Sequence, residues 1–174
     1  QSYKNSGIER VAKDAAARVY PANDARYYSL PESMSYKSIL IHQAFVNADI
    51  IINLPVVSMP REEQVKGAID NYLGLVWERN KCIGIHQSEC ITSLLSYKAP
   101  QLTIAEIWPE NNKIDPSNRE KDFRFISVSE DIVLSDQASA SILGLDYMQI
   151  SGLKEAILAG LGRQNPLPEQ IIKL

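Results

Sequence analysis

Apolar positions along this chain follow two rhythms, one of three to four residues and one of nearly continuous short runs. In GIERVAKDAAARVY, Ile8, Val11, Ala15 and Val19 fall on one helical face, and Pro21 stops the segment. ARYYSL reads as a short strand before the turn signal PES, and SILIHQAFVNA returns to helical spacing through Ile39, Ile41, Phe45 and Val46. DIIINLPVV, with three consecutive isoleucines, has the character of a strand buried on both faces, which places it at the centre of a parallel sheet. PREEQVKGAIDNYLGLVWER opens with proline and acidic residues and carries Val65, Ile69, Leu73 and Val76 at helical steps, the clearest helix signal in the chain.

The second half continues the alternation. SECITSLLSY predicts a helix, QLTIAEIW a strand, PENNKIDPSNREKD a long polar loop, and FRFISVS another strand. DQASASILGL and GLKEAILAGLG predict two helices, and EQIIKL a last strand. Strands alternating with helices predict a single α/β domain over residues 1–174, with a mainly parallel sheet flanked by helices in three layers.

Composition narrows the function classes. The 174 residues are 45% hydrophobic and 22% charged, an ordinary globular balance for one domain. Lys and Arg number 18 against 21 Asp and Glu, so a net charge of −3 gives no bulk attraction for nucleic acid. No apolar run approaches the roughly 20 residues of a membrane helix. Two cysteines are too few for a disulfide framework or for the four thiolates of an iron–sulfur cluster, so the cytoplasm is the expected compartment. A start at Gln1 without a signal-like segment reads as a piece excised from a longer protein.

Four stretches bear on chemistry. KCIGIHQSEC spaces Cys82, His86 and Cys90 four apart, which on a helix would bring three soft ligands to one face. A structural zinc needs a fourth ligand, and Gly84 weakens the helix, so two buried cysteines and a hydrogen-bonding histidine are the preferred reading and no metal is assigned. GLGRQNP follows a helix rather than a strand, so its Gly-x-Gly reads as a helix stop and not a dinucleotide fingerprint. Glu130, Asp131 and Asp136 in EDIVLSD read either as metal-ligating carboxylates or as acidic residues opening a helix, with the helix preferred. Asn53 interrupts an apolar strand near its carboxyl end, where open parallel sheets hold ligands, and a turn before Pro55 is the alternative.

ADIIINLPVV followed by VKGAIDNYLGLV, then QLTIAEIW and SVSEDIVLSDQASASILGLD, resembles the family called domain of unknown function 362 over roughly residues 40 to 174. The resemblance implies association with iron–sulfur proteins, the cluster lying elsewhere in the parent chain and no cofactor in this segment, with a ferredoxin-like domain as the partner. His86 matches a histidine that the family carries, and Glu106 its strand-ending acid. Ser58, Met59 and Pro60 stand where the family has Lys-Thr-His, and Asp70 and Asn71 where it has Lys-Asn. The cationic complement for an anionic ligand is therefore reduced.

Three functions follow as expectations. The first is a ligand-binding domain of an iron–sulfur-associated protein, with a pocket drawn from Asn53, Asp70, Asn71, His86, Glu106 and Asp131. The second is an interaction module, anchored by aromatics among Tyr27, Tyr28, Tyr72, Trp77, Tyr97 and Trp108. The third is a metal-assisted hydrolase or redox component pairing His86 with Glu106 or Asp131. No residue is assigned a catalytic role.

Overall fold

A computed structural model describes residues 2–19, 27–29, 40–58, 65–77, 79–82, 87–108 and 125–163. The long polar loop, the last predicted strand and His86 lie outside these residues. The organising element is β5, Leu102–Trp108, which takes partners along both edges. On one edge run β3, Ile52–Asn53, and β4, Val56–Ser58, both parallel to it. Ile52 stands opposite Leu102, Asn53 opposite Thr103 and Val56 opposite Glu106, so the register is unbroken and the two pieces are halves of one strand. The gap falls at Leu54 and Pro55 because proline has no N–H to give the ladder. Its carbonyl still accepts the Glu106 N–H at 3.0 Å.

On the other edge of β5 lies β6, Phe125–Ser129, antiparallel from Thr103–Ser129 to Ile107–Phe125. The sheet is therefore open and mixed, its longest ladder antiparallel. Among the described residues the strand expected at the centre is an edge strand. Its side chains alternate strictly, Asn53, Pro55 and Val57 buried and Ile52, Leu54 and Val56 exposed. An all-apolar run had masked that two-residue period.

Among the described residues, helices cover one face of the sheet. The main one is α6, Ile132–Leu143, which packs on β5 and β6. Its buried stripe, Ile132, Val133, Ser135, Asp136, Ser139 and Ala140, keeps helical spacing. Asp131 opens it by accepting the Val133 and Leu134 N–H groups at 2.9 and 3.2 Å, and Gly144, at φ 65°, closes it in the left-handed conformation. Helix α5, Gln87–Tyr97, buries Ile91, Leu94 and Leu95 and packs against α7, Leu153–Leu158. Gly160 and Gly162, both at positive φ, follow α7, as a helix stop requires.

Two helices depart from expectation. Of the region predicted as one long helix from Pro60, residues 60–64 lie outside the described residues, and among the described ones α-helix spans α4, Ala68–Tyr72, continued by a 3₁₀ turn over Leu73–Leu75. Val65 is extended instead, exchanging hydrogen bonds of 3.0 and 2.8 Å with Gln149 O and the Ser151 N–H. The segment read as helical from residue 38 begins as β2, Leu40–His42, which pairs antiparallel with β1, Tyr27–Ser29, and turns helical only over α3, Gln43–Asn47. His42 sets that boundary, its Nδ1 accepting the Ala44 N–H at 3.0 Å. The amino-terminal helices α1, Ser2–Asn5, and α2, Ile8–Asp14, pack on each other, and Ile8 and Val11 are exposed.

Candidate functional site

The residues singled out from sequence fall in three places. Asn53 reaches from the covered face of the sheet to α4, donating its Nδ2 to the Ala68 carbonyl at 2.9 Å and accepting from Asn71 Nδ2 at 2.7 Å. Next to Asn71 on α4, Asp70 is buried and holds an ion pair of 2.5 Å with Arg79, whose guanidinium also donates to the Asp70 carbonyl at 3.3 Å. Asn53 with Asn71 and Asp70 with Arg79 thus form two polar pairs that start from neighbouring residues of α4, and Arg79 is a member that sequence reading did not single out. Asn71 and the partly buried Arg79 reach solvent.

Asp131 and Glu106 lie apart from that cluster. The Asp131 carboxylate is engaged by the first turn of α6 and, through its second oxygen, by the Arg163 N–H at 2.7 Å, which fastens the segment after α7. Glu106 is partly buried on the opposite face of the sheet from Asn53, because its neighbours Ala105 and Ile107 point into the helix-covered side. The pairing of His86 with either carboxylate lies outside the described residues. Asn53 itself sits near the amino end of the combined β3–β4 strand, away from its carboxyl end at Ser58.

The cysteines are buried and joined, Cys82 to Cys90. Both sulfurs are committed to a covalent link, and a thiolate pair for metal is absent while the bond stands. Among the described residues no group of three His, Cys, Asp or Glu side chains is placed to hold a metal ion. No helix among them is long and apolar enough to cross a membrane. Disulfides persist chiefly in oxidising compartments, so the bond gives the cytoplasmic expectation no support.

Sequence reading named Asp136 as a metal-ligating or helix-opening acid and missed that it is the most deeply buried charge among the described residues. Asp136 lies wholly inside, its carboxylate accepting the Ala68 N–H at 2.5 Å and the Ile69 N–H at 3.0 Å. It caps α4 from a different helix, whose own opening residue is Asp131. Burial pushes its carboxyl up to about 7, with the two N–H groups pulling the other way and the nearby Asp70 charge adding a smaller push upward. Gly67 makes the cap possible: a Cβ there would stand 2.7 Å from the Asp136 Cγ. The available signal was an aspartate within the buried stripe of α6, where an unpartnered charge has no place.

One feature of the other sheet face has no counterpart on the covered one. Ile52, Leu54 and Val56 from β3–β4 and Ile126 and Val128 from β6 are exposed on both sides of partly buried Leu102, Ile104 and Glu106. The registers place Leu54, Ile104 and Val128 in one row across three strands.

Neither the curated proteins nor the solved structures contain a match to the chain. The family model described as a domain of unknown function (DUF362) matches residues 1–141, which carries the likeness through the amino-terminal helices and ends it within α6. The match spans most of the 174 residues, and the chain belongs to the DUF362 family.

Proposed function

We propose that this domain is a docking module, and that the uncovered sheet face is the surface that docks. The observation that carries this reading is the exposure of Leu54 at 64% and Ile126 at 71% on a continuous aliphatic face. Soluble monomers rarely leave apolar patches beyond about 300–600 Å² uncovered unless something binds there. Of the aromatic anchors expected, Trp77 is 42% exposed. Tyr72 is in the core, edge-to-face with Phe45 at 5.6 Å, and the face is aliphatic rather than aromatic.

Photoactivated carbene footprinting and apolar-dye fluorescence on the purified chain test the reading. Residues 52–56 and 126–128 should be labelled or protected together, and Leu54→Lys with Val128→Lys should abolish dye binding. A chain that binds no dye and whose face is unlabelled even at high dilution has that face covered from within, and the reading fails.

A second reading keeps the ligand-binding function of an iron–sulfur-associated protein, its cluster on another part of the parent. It is supported by two polar pairs at α4, Asn53 with Asn71 and Asp70 with Arg79, and by the partial exposure of Arg79. Thermal-shift measurements with inorganic anions test it, since a ligand that binds only the folded state raises its stability. An Arg79-dependent shift supports it, and no shift in wild type removes it.

A further inference from the structure

We infer that the occupant of the uncovered face is a second copy of this chain, the two sheets packing face to face about a twofold axis. The inference rests on the docking reading above. Its first support is area. Ile52, Leu54, Val56, Ile126 and Val128, exposed by 53 to 71%, together with the partly buried Leu102 and Ile104, present on the order of 600 Å². Two such faces, fully buried, give about 1,200 Å², the lower limit of the range for specific stable interfaces. The exposed apolar stripe of α2, carried by Ile8 and Val11, is too narrow to cover three strands.

The second support is self-complementarity. A twofold interface uses the same patch twice, so a flat aliphatic face of this kind needs no unlike partner to match it. Aligned sheets pack about 10 Å apart through interdigitated side chains, which the unbroken row Leu54, Ile104 and Val128 permits.

Glu106 selects the orientation. With the axis along the strands, each Glu106 would face its copy, two like charges on the middle strands. With the axis across the strands and over the Leu54–Ile104–Val128 row, Glu106 lies over Leu102 of the other copy. The two carboxylates are then separated by about four residues of strand, roughly 13 Å. In this arrangement Leu54 faces Leu54, Ile104 faces Ile104 and Val128 faces Val128.

Sedimentation equilibrium of the chain from about 1 to 100 μM, with carbene footprinting at the same concentrations, tests this. The expected result is a species of twice the chain mass whose formation protects residues 52–56 and 126–128. Leu54→Lys and Val128→Lys, both at exposed positions, should keep the circular-dichroism spectrum and weaken the dimer at least about 100-fold. Leu54→Cys should join to itself through a short bis-maleimide, while Leu158→Cys, exposed on α7, should not. A dimer insensitive to both lysines, or one in which Leu54→Cys fails to cross-link, overturns the inference. A monomer at 100 μM with the face labelled also overturns it but leaves the docking reading standing for an unlike partner. A monomer with the face protected at every concentration removes both.

Discussion

The contact between Gly67 and Asp136 makes a prediction that separates a cap from ordinary packing. Replacing Asp136 with alanine leaves the N–H groups of Ala68 and Ile69 buried without acceptors. Each orphaned group costs about 1–3 kcal/mol, partly offset because a carboxylate no longer has to be desolvated. A net loss of roughly 2–4 kcal/mol is expected, about 5–15 °C in Tm for a chain of this size. Gly67→Ala should cost nearly as much for a different reason. The φ of −110° at Gly67 is one any residue adopts, so the penalty is steric: the new Cβ collides with Asp136 Oδ1, stands 2.7 Å from its Cγ, and must drive the carboxylate off the same two N–H groups. The two substitutions therefore destroy one interaction by two routes. Their double variant should be no less stable than Asp136→Ala alone, giving a coupling energy of about 2 kcal/mol or more in urea unfolding followed by circular dichroism. Additive losses would show that the carboxylate does not sit on the helix start, and an innocuous Gly67→Ala would show that it does not sit against Gly67.

Three further outcomes follow from the same geometry. Because burial raises the folded carboxyl of Asp136 to about 7, the native state holds its proton between roughly pH 4 and 7 while the unfolded chain has released it; wild-type stability should therefore fall across that window relative to Asp136→Asn, by up to about 4 kcal/mol, and parallel pH profiles would refute the assignment. The link from Cys82 to Cys90 closes a loop with a sequence separation of 8, so reducing it should cost roughly 2–3 kcal/mol by the loop-entropy argument, measured as urea unfolding with and without dithiothreitol, and thiol titration of the native protein that finds two reactive cysteines would dismiss the bond. Asn53→Leu should destabilise by about 1–2 kcal/mol, since it removes the second bond of the Ala68 carbonyl and the Asn71 contact, whereas Asn71→Ala at the exposed end should cost under about 1 kcal/mol; equal losses would mean that the buried half of the network carries no more weight than its rim.

The parts of the fold legible in the sequence are those where period and punctuation agree. In α6 the apolar stripe is bracketed by Asp131 and Gly144, and both ends are where those residues predict. Strands β5 and β6 were legible because turn-rich or polar segments bound them. The helix at α4 was misread because Val65, Ile69, Leu73 and Val76 do keep helical spacing, yet Val65 finds a backbone partner at Gln149 and Gly67 leaves the first turn to be capped from outside. That cap lies 68 residues away along the chain, beyond any local pattern. The disulfide is likewise a matter of spatial approach, and Cys-x7-Cys spacing alone does not distinguish it from two buried thiols.

Most of the described members of the candidate site are taken up by partners within the chain, for a common reason. A polar side chain that interrupts an apolar run must be satisfied somewhere, and the nearest partners are usually backbone groups left over at helix ends. Asp131 answers the orphan N–H groups of α6, Asp136 those of α4, and Asn53 takes up the Ala68 carbonyl while steadying Asn71. Position in the sequence marked these residues as unusual, correctly, but unusual polarity inside a small domain is first consumed by helix ends before any is left for a ligand. The same reasoning runs in reverse for the sheet. Ile52, Leu54 and Val56 looked ordinary in sequence because apolar residues are expected inside, and only their exposure makes them informative. Among the described residues the demand that faces solvent is apolar, on the face of Leu54, Ile104 and Val128, while Ser93, Thr103 and Ser135 keep buried hydroxyls without a hydrogen bond. The polar groups that first drew attention have, for the most part, found their partners within the chain.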